Sequence, residues 1–307
     1  MAMVVLFAVV AAAVTVASIA WRTPSTPHAL STHTLFNVQA VSAVAQGDGG
    51  AWLTDDVSHD LVRFDPAGGL SGGSVHLAGR PSAMILDGRD IWVADMLSNT
   101  VEEFAASNLR AVRSVAVPNA PVSMVAFGGK IWVASLIASE VSAVDSRTGG
   151  LGRGIAVPGG AVRITQGFGA LWVTGTDNLL TEIRPGVAGS APRLRTVQVG
   201  NGPIGVATGM GSVWVADAVG GTVAQVDPTS LAVLHRYRVG SDPLTVAVAG
   251  GRVWVGDGTA HKLRTVFPSP GLGPRDLGGS PRALLPVGEG VWVAIANPGR
   301  VIAAGVG

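Results

Sequence analysis

Short apolar runs alternate with Gly, Asp, Asn and Pro clusters along most of this chain, and the alternation has a long period. One run in each period carries a tryptophan: Trp52, Trp92, Trp132, Trp172, Trp214, Trp254 and Trp292, spaced 40, 40, 40, 42, 40 and 38 residues apart. The surrounding words are AWLTD, IWVAD, IWVAS, LWVTG, VWVAD, VWVGD and VWVAI. Eleven residues before each Trp another run opens, at Val41, Pro81, Pro121, Ala161, Pro203, Pro243 and Pro281. A self-similar period of about 40 residues marks a repeat architecture, in which no unit buries its own core and neighbours must stack.

Within the second unit, apolar runs begin at Pro81, Ile91 and Thr100, a fourth ends at Val117, and turn residues separate them. Four short strands joined by such turns form an antiparallel meander, and radial repetition of four-stranded units forms a propeller. The ends of the chain supply a second argument. The last unit stops at Gly307 without a fourth strand, whereas the run Thr34–Val38 precedes Val41 as a fourth strand with nothing before it. Joining the two removes two open sheet edges. The prediction is an all-β, seven-bladed β-propeller over residues 34–307, its N-terminal strand closing the last blade, preceded by an N-terminal hydrophobic helix.

That helix is expected over residues 2–21, which are uncharged and mostly apolar. At 1.5 Å per residue such a helix reaches about 30 Å, the hydrocarbon thickness of a bilayer. Residues 1–21 are therefore read as a membrane anchor or a signal peptide. Trp21 suits the membrane interface, and Ser18-Ile19-Ala20 offers small residues for cleavage. Residues 22–33 are rich in Ser, Thr and Pro and read as an extended stalk.

Composition sharpens this picture. The chain is 48% hydrophobic and only 13% charged, with a formal charge of +1. Strands buried on both faces explain that bias, because they read as continuous Val, Ile, Leu and Ala. Lys130 and Lys262 are the only lysines, and no Lys/Arg run marks a nucleic-acid footprint. The absence of cysteine excludes disulfides, thiolate metal sites and a Cys nucleophile.

Two sets of loops converge on one face of such a disc. Three residues after the tryptophans stand Asp55, Asp95, Ser135, Gly175, Asp217, Asp257 and Ile295. Repetition of Asp at equivalent places favours a turn-fixing role over a cation site. Asp55 with His59 and Asp257 with His261 are the weak metal candidates, held apart by the seventh unit. Residues that break the repeat are better candidates for ligand recognition: Arg80, Asn119, Arg163, Asn201, Asp242 and Arg282, all beside the strand openings. Three arginines with amide and carboxylate neighbours suit two-point recognition of an anionic or polar ligand.

The pattern Pro-x-x-Val-Ala … Gly-x-Val-Trp-Val-Ala-Asp … Thr-Val-x-x-Val-Asp-Pro, clearest from Pro203 to Pro228, resembles the YVTN/YncE-like and streptogramin (virginiamycin B) lyase-like seven-bladed propellers. The lyase branch implies a histidine–glutamate set holding Mg²⁺ at the channel mouth, with a histidine after the strand-opening residue. Ser42, Ser82, Val122, Val162, Ile204, Leu244 and Arg282 occupy that position here, and no glutamate follows a Trp by three. The YncE-like branch implies extracytoplasmic binding proteins. The expectation is a non-catalytic, extracytoplasmic binding or interaction module with no cofactor. It would be presented at the membrane by residues 2–21 or secreted, its partner a protein or small polar ligand and not nucleic acid. The alternative is a lyase-like or other metal-assisted enzyme, with Mg²⁺, working on the rim of the central channel.

Overall fold

The computed structural model describes residues 30–306, apart from 48–49, 68, 187–189 and 269–270. Every regular element among the described residues is a strand, and the strands form seven four-stranded antiparallel sheets. The expected apolar helix, and all but residues 30–33 of the expected stalk, lie outside the described residues. No helix among the described residues is long and apolar enough to cross a membrane.

Blade 1 runs from its innermost strand, Val41–Gly47, to its outermost, Gly69–His76. Blades 2 to 6 open with Pro81–Asp87, Pro121–Phe127, Arg163–Gly167, Pro203–Gly209 and Pro243–Ala249. Blade 7 joins Pro281–Val287, Gly290–Ile295 and Arg300–Val306 to Leu30–Asn37, in that spatial order. The innermost strands touch in cyclic order, with the seventh against the first, so the ring is closed. Blade 4 opens at Arg163 rather than at the expected Ala161. In the other six blades the opener faces the residue three after the Trp, such as Val41 opposite Asp55; blade 4 has Gly175 there.

The tryptophans hold the blades to one another. Each indole is almost fully buried, and each belongs to an apolar cluster shared with the following blade. Trp92 packs with Ile131, Val133 and Val144 of blade 3, and Trp214 with Val246, Val253 and Val255 of blade 6. Trp292 closes the circle against Val41, Leu53 and Phe64 of blade 1. A bulky side chain is needed because twisted sheets leave a wedge between them. The indole N–H has its own place: Trp132, Trp172, Trp214 and Trp254 donate to the carbonyls of Phe127, Gly167, Gly209 and Ala249, each five residues earlier, at 3.0–3.1 Å. Trp52 Nε1 is buried without such a partner.

The closing strand begins at Leu30, four residues before the expected Thr34, so part of the expected stalk is sheet. Leu30 pairs with Val306 and is buried in the core between blades 6 and 7, which is why the strand extends that far. At its other end Phe36 stacks on Phe64 of blade 1, with ring centres 5.3 Å apart. The strand therefore enters both neighbouring interfaces.

Candidate functional site

The loops that open each blade and the turns after each Trp strand lie on one face of the ring. The buried aspartates three residues after Trp tie these two kinds of loop together. Asp55 Oδ1 accepts the N–H groups of Val57 (2.8 Å) and Ser58 (3.2 Å), while Oδ2 accepts that of Gln39 (3.0 Å). Asp95 Oδ1 accepts from Arg80 (3.1 Å), Leu97 (2.9 Å) and Ser98 (3.0 Å). Asp217 accepts from Asn201 and Gly220, and Asp257 from Ser241 and Ala260. Carboxylates spent on backbone N–H groups fix turns and are poor cation ligands.

The paired metal candidates come apart for a related reason. His59 and His261 adopt φ of 57° and 53°, the left-handed region, and their carbonyls receive the N–H of Leu77 and Leu277 at the end of the outermost strands. Asn99, Ser139, Asn178 and Gly221 do the same in other blades. Asn and Gly suit that conformation, and His is among the residues tolerated there. The histidines are thus turn residues of a repeating hydrogen-bond scheme. Among the described residues no three His, Cys, Asp or Glu are grouped to hold a metal ion.

Of the six recognition candidates, Arg80, Arg163 and Arg282 line one cavity of about 410 Å³ at the channel mouth, contributed by blades 2, 4 and 7. Asn119, Asn201 and Asp242 do not line it. Asn119 accepts the Ala138 N–H through its carbonyl, Asn201 donates its N–H to Asp217, and Asp242 accepts the Thr259 hydroxyl. Below the mouth a second cavity of about 250 Å³ continues among Val44, Met84, Met124 and Leu284. Arg163 and Arg282 line both cavities and so form a cationic neck above an apolar interior.

The three guanidinium groups face a single carboxylate, Asp56, which the repeat at three residues after Trp did not point to. Arg80 donates Nε to Asp56 Oδ1 at 2.7 Å and Nη2 to Oδ2 at 2.9 Å. This fork holds the Asp56 carboxyl below its ordinary range, against the opposite pull of burial, and raises Arg80. Arg163 has no carboxylate partner among the described residues: Nη1 donates to the carbonyls of Val122 and Val162 at 3.4 and 3.3 Å, and its other N–H groups make no bond there. Burial, and then the like charge of Arg282, push its pKa down. Arg282 is exposed and makes no hydrogen bond or ion pair among the described residues. The serines that line the neck turn their hydroxyls into the wall, Ser42 onto Thr54 and Ser82 onto the Pro121 carbonyl at 2.6 Å. The donors left for a ligand are those of Arg163 and Arg282.

A Mg²⁺ ion, implied by the lyase resemblance, does not fit these residues. Among the described residues no histidine or glutamate lines the cavity, and both Asp56 oxygens are committed to Arg80. A dication placed there would meet net positive charge at short range.

No protein-family model and no curated protein matches the chain. Solved structures do. A catalytically inactive His-to-Ala variant of virginiamycin B lyase from Staphylococcus aureus, solved with quinupristin, superposes with a TM-score of 0.78 at 16% identity, covering 90% of this chain and 99% of that one. The Pan2 WD40 domain of Neurospora crassa gives 0.74 at 11% identity over 92% and 98% of the two chains. BamB from Moraxella catarrhalis gives 0.65 at 16% identity over 86% and 83%. Likeness at such identities shows the fold alone: the chain is a seven-bladed β-propeller.

Proposed function

We propose that this protein is a non-catalytic binding module that takes an anionic ligand at the mouth of its central channel. The observation that carries the reading is the convergence of Arg80, Arg163 and Arg282 on one cavity that offers one carboxylate in return. A half-buried guanidinium beside a second cation, as Arg163 is beside Arg282, is costly to keep, and an incoming carboxylate or phosphate relieves that cost through charge-assisted bonds. The apolar interior below the neck would receive a small hydrophobic group of the same ligand. The protein works outside the cytoplasm, held at the membrane or exported by residues 2–21, and is related to the YncE-like propellers. The apolar run at the N-terminus and the repeat pattern from Pro203 to Pro228 support that part of the reading. The enzymatic alternative has less support, since the lyase-type histidine and glutamate positions are filled by other residues.

Thermal shift of the full chain tests the reading, with succinate, citrate and inorganic phosphate as probes and choline chloride as a cationic control. A ligand that binds only the folded state raises Tm in a concentration-dependent way. The anions should raise Tm, choline should not, and Arg163→Gln or Arg282→Gln should abolish the shift. No shift with any anion, or the same shift in both variants, would remove the reading.

A further inference from the structure

The channel mouth carries a second feature that binding a small anion would not use. Five residues after Trp, the exposed turn of blades 1, 2 and 3 holds Val57, Leu97 and Ile137. These side chains are 60, 66 and 67% exposed. Leu136 beside Ile137 is also exposed, and Val57 and Met96 line the cationic cavity itself. Blade 5 also carries an exposed apolar residue at that position, Val219, but the shorter turn of blade 4, Thr176-Asp177, separates it from the other three, and blades 6 and 7 carry Thr259 and Asn297. The apolar arc thus follows the same side of the ring as much of the cavity.

Two of the three turns are held by buried carboxylates. Asp55 and Asp95, both buried, accept the N–H groups of Val57 and Leu97 at 2.8 and 2.9 Å, which fixes each turn with its apolar side chain outward. Exposed apolar side chains at one register of three consecutive blades add nothing to the core, and several of them on one rim mark a candidate interaction surface.

We infer that this face binds a peptide segment, whose apolar side chains cover Val57, Leu97 and Ile137 and whose carboxylate reaches Arg163 and Arg282. The inference rests on the anion-binding reading and names its ligand class. Charge complementarity selects the occupant. A small anion would fill the mouth and leave Leu97 and Ile137 bare. A flat anionic lipid surface would meet the arc but not Arg163, which sits at the neck between the outer and inner cavities. A chain that lies across the rim and drops one carboxylate inward meets both features.

The test is a displayed library of random heptapeptides with free C-termini, selected against the full chain. The best peptide is then measured by fluorescence anisotropy, as free acid and with its carboxylates amidated. Selected peptides should pair apolar residues with an Asp, a Glu or the terminal carboxylate, and amidation should weaken binding at least about tenfold. The double variant Leu97→Ser/Ile137→Ser should weaken the peptide by about tenfold or more while leaving the succinate thermal shift as in the parent. No enrichment, enrichment of polar or basic peptides, or an unchanged affinity in the double variant would overturn the inference and leave the anion site standing. Loss of the succinate shift in Arg163→Gln with unchanged peptide affinity would overturn it too. Vesicles of phosphatidylcholine and phosphatidylglycerol are the remaining arm: binding to them without peptide enrichment would replace the peptide by a membrane surface.

Discussion

Arg80 and Asp56 meet across the boundary of blades 1 and 2 in a two-point ion pair, with N···O distances of 2.7 and 2.9 Å. Asp56 supplies the negative charge of the mouth cavity, so it competes with any anion for the guanidinium groups. Asp56→Asn should therefore raise the affinity for succinate by about tenfold, roughly 1.4 kcal/mol, in calorimetric titration. The carboxyl is depressed in the folded protein, chiefly by the hydrogen bonds from Arg80. Its contribution to stability is present above its unfolded pKa of about 3.9 and is lost as pH falls through the lower folded value. Any Tm difference between parent and variant should accordingly shrink below about pH 4.

Glu102 behaves in the opposite sense. It sits on the third strand of blade 2, opposite Val93 and Ser114, and makes no hydrogen bond or ion pair among the described residues. Burial and then the charge of Asp95 raise its pKa. A carboxyl raised on folding holds its proton more tightly in the native state, so it destabilises once pH climbs past the unfolded value of about 4.3. Glu102→Gln should raise Tm at pH 7, and the gain should vanish near pH 4. A variant that lowers Tm at pH 7 would show that the carboxylate has a stabilising partner.

The indoles offer a differential test. Trp132→Ala or Trp214→Ala should each cost about 3–5 kcal/mol in denaturant unfolding, because each opens a cavity between two blades. Replacement by Phe separates packing from the N–H bond. Trp214 donates to Gly209 at 3.0 Å, whereas Trp52 Nε1 is buried without a partner. Trp214→Phe should therefore be more costly than Trp52→Phe by about 1 kcal/mol.

The ring was legible because its marks repeat: Trp at one place in the second strand, and Asp three residues later at the turn that needs a carboxylate. The surplus strand near Phe36 was legible for the same reason, since its offset from Val41 matches that of other fourth strands. Its first residues were hidden, because Leu30 looks like part of a Ser/Thr-rich stalk until Val306 is placed beside it. At the mouth the three arginines stood out as breaks in the repeat. Asn119, Asn201 and Asp242 stood out equally but do not line the cavity, and spacing does not tell which way a loop side chain turns. Asp56 was masked by its neighbour Asp55, whose role the repeat explained. The apolar arc was missed because five residues after Trp the blades carry Val, Leu, Ile, Asp, Val, Thr and Asn, a pattern with no meaning until exposure is known.

The closing strand can be tested by truncation. Removal of residues 30–40 takes Leu30 and Phe36 from two inter-blade cores and bares the edge of Arg300–Val306. That variant should aggregate or run as a polydisperse species in size-exclusion chromatography, since an unpaired edge recruits other chains. Removal of residues 1–29 should leave a monodisperse protein with the parent melting temperature.

The pairing of Leu30 with Val306 also orders events during synthesis. Blades 1 to 6 are made from strands adjacent in sequence and can assemble one after another as they leave the ribosome. Leu30–Asn37 must wait for its partner until Arg300–Val306 has been translated. Circularity is then achieved by the slowest kind of contact a chain makes, one between segments far apart in sequence. A circular permutant that begins at Pro81 would move that wait from a single strand to a whole blade.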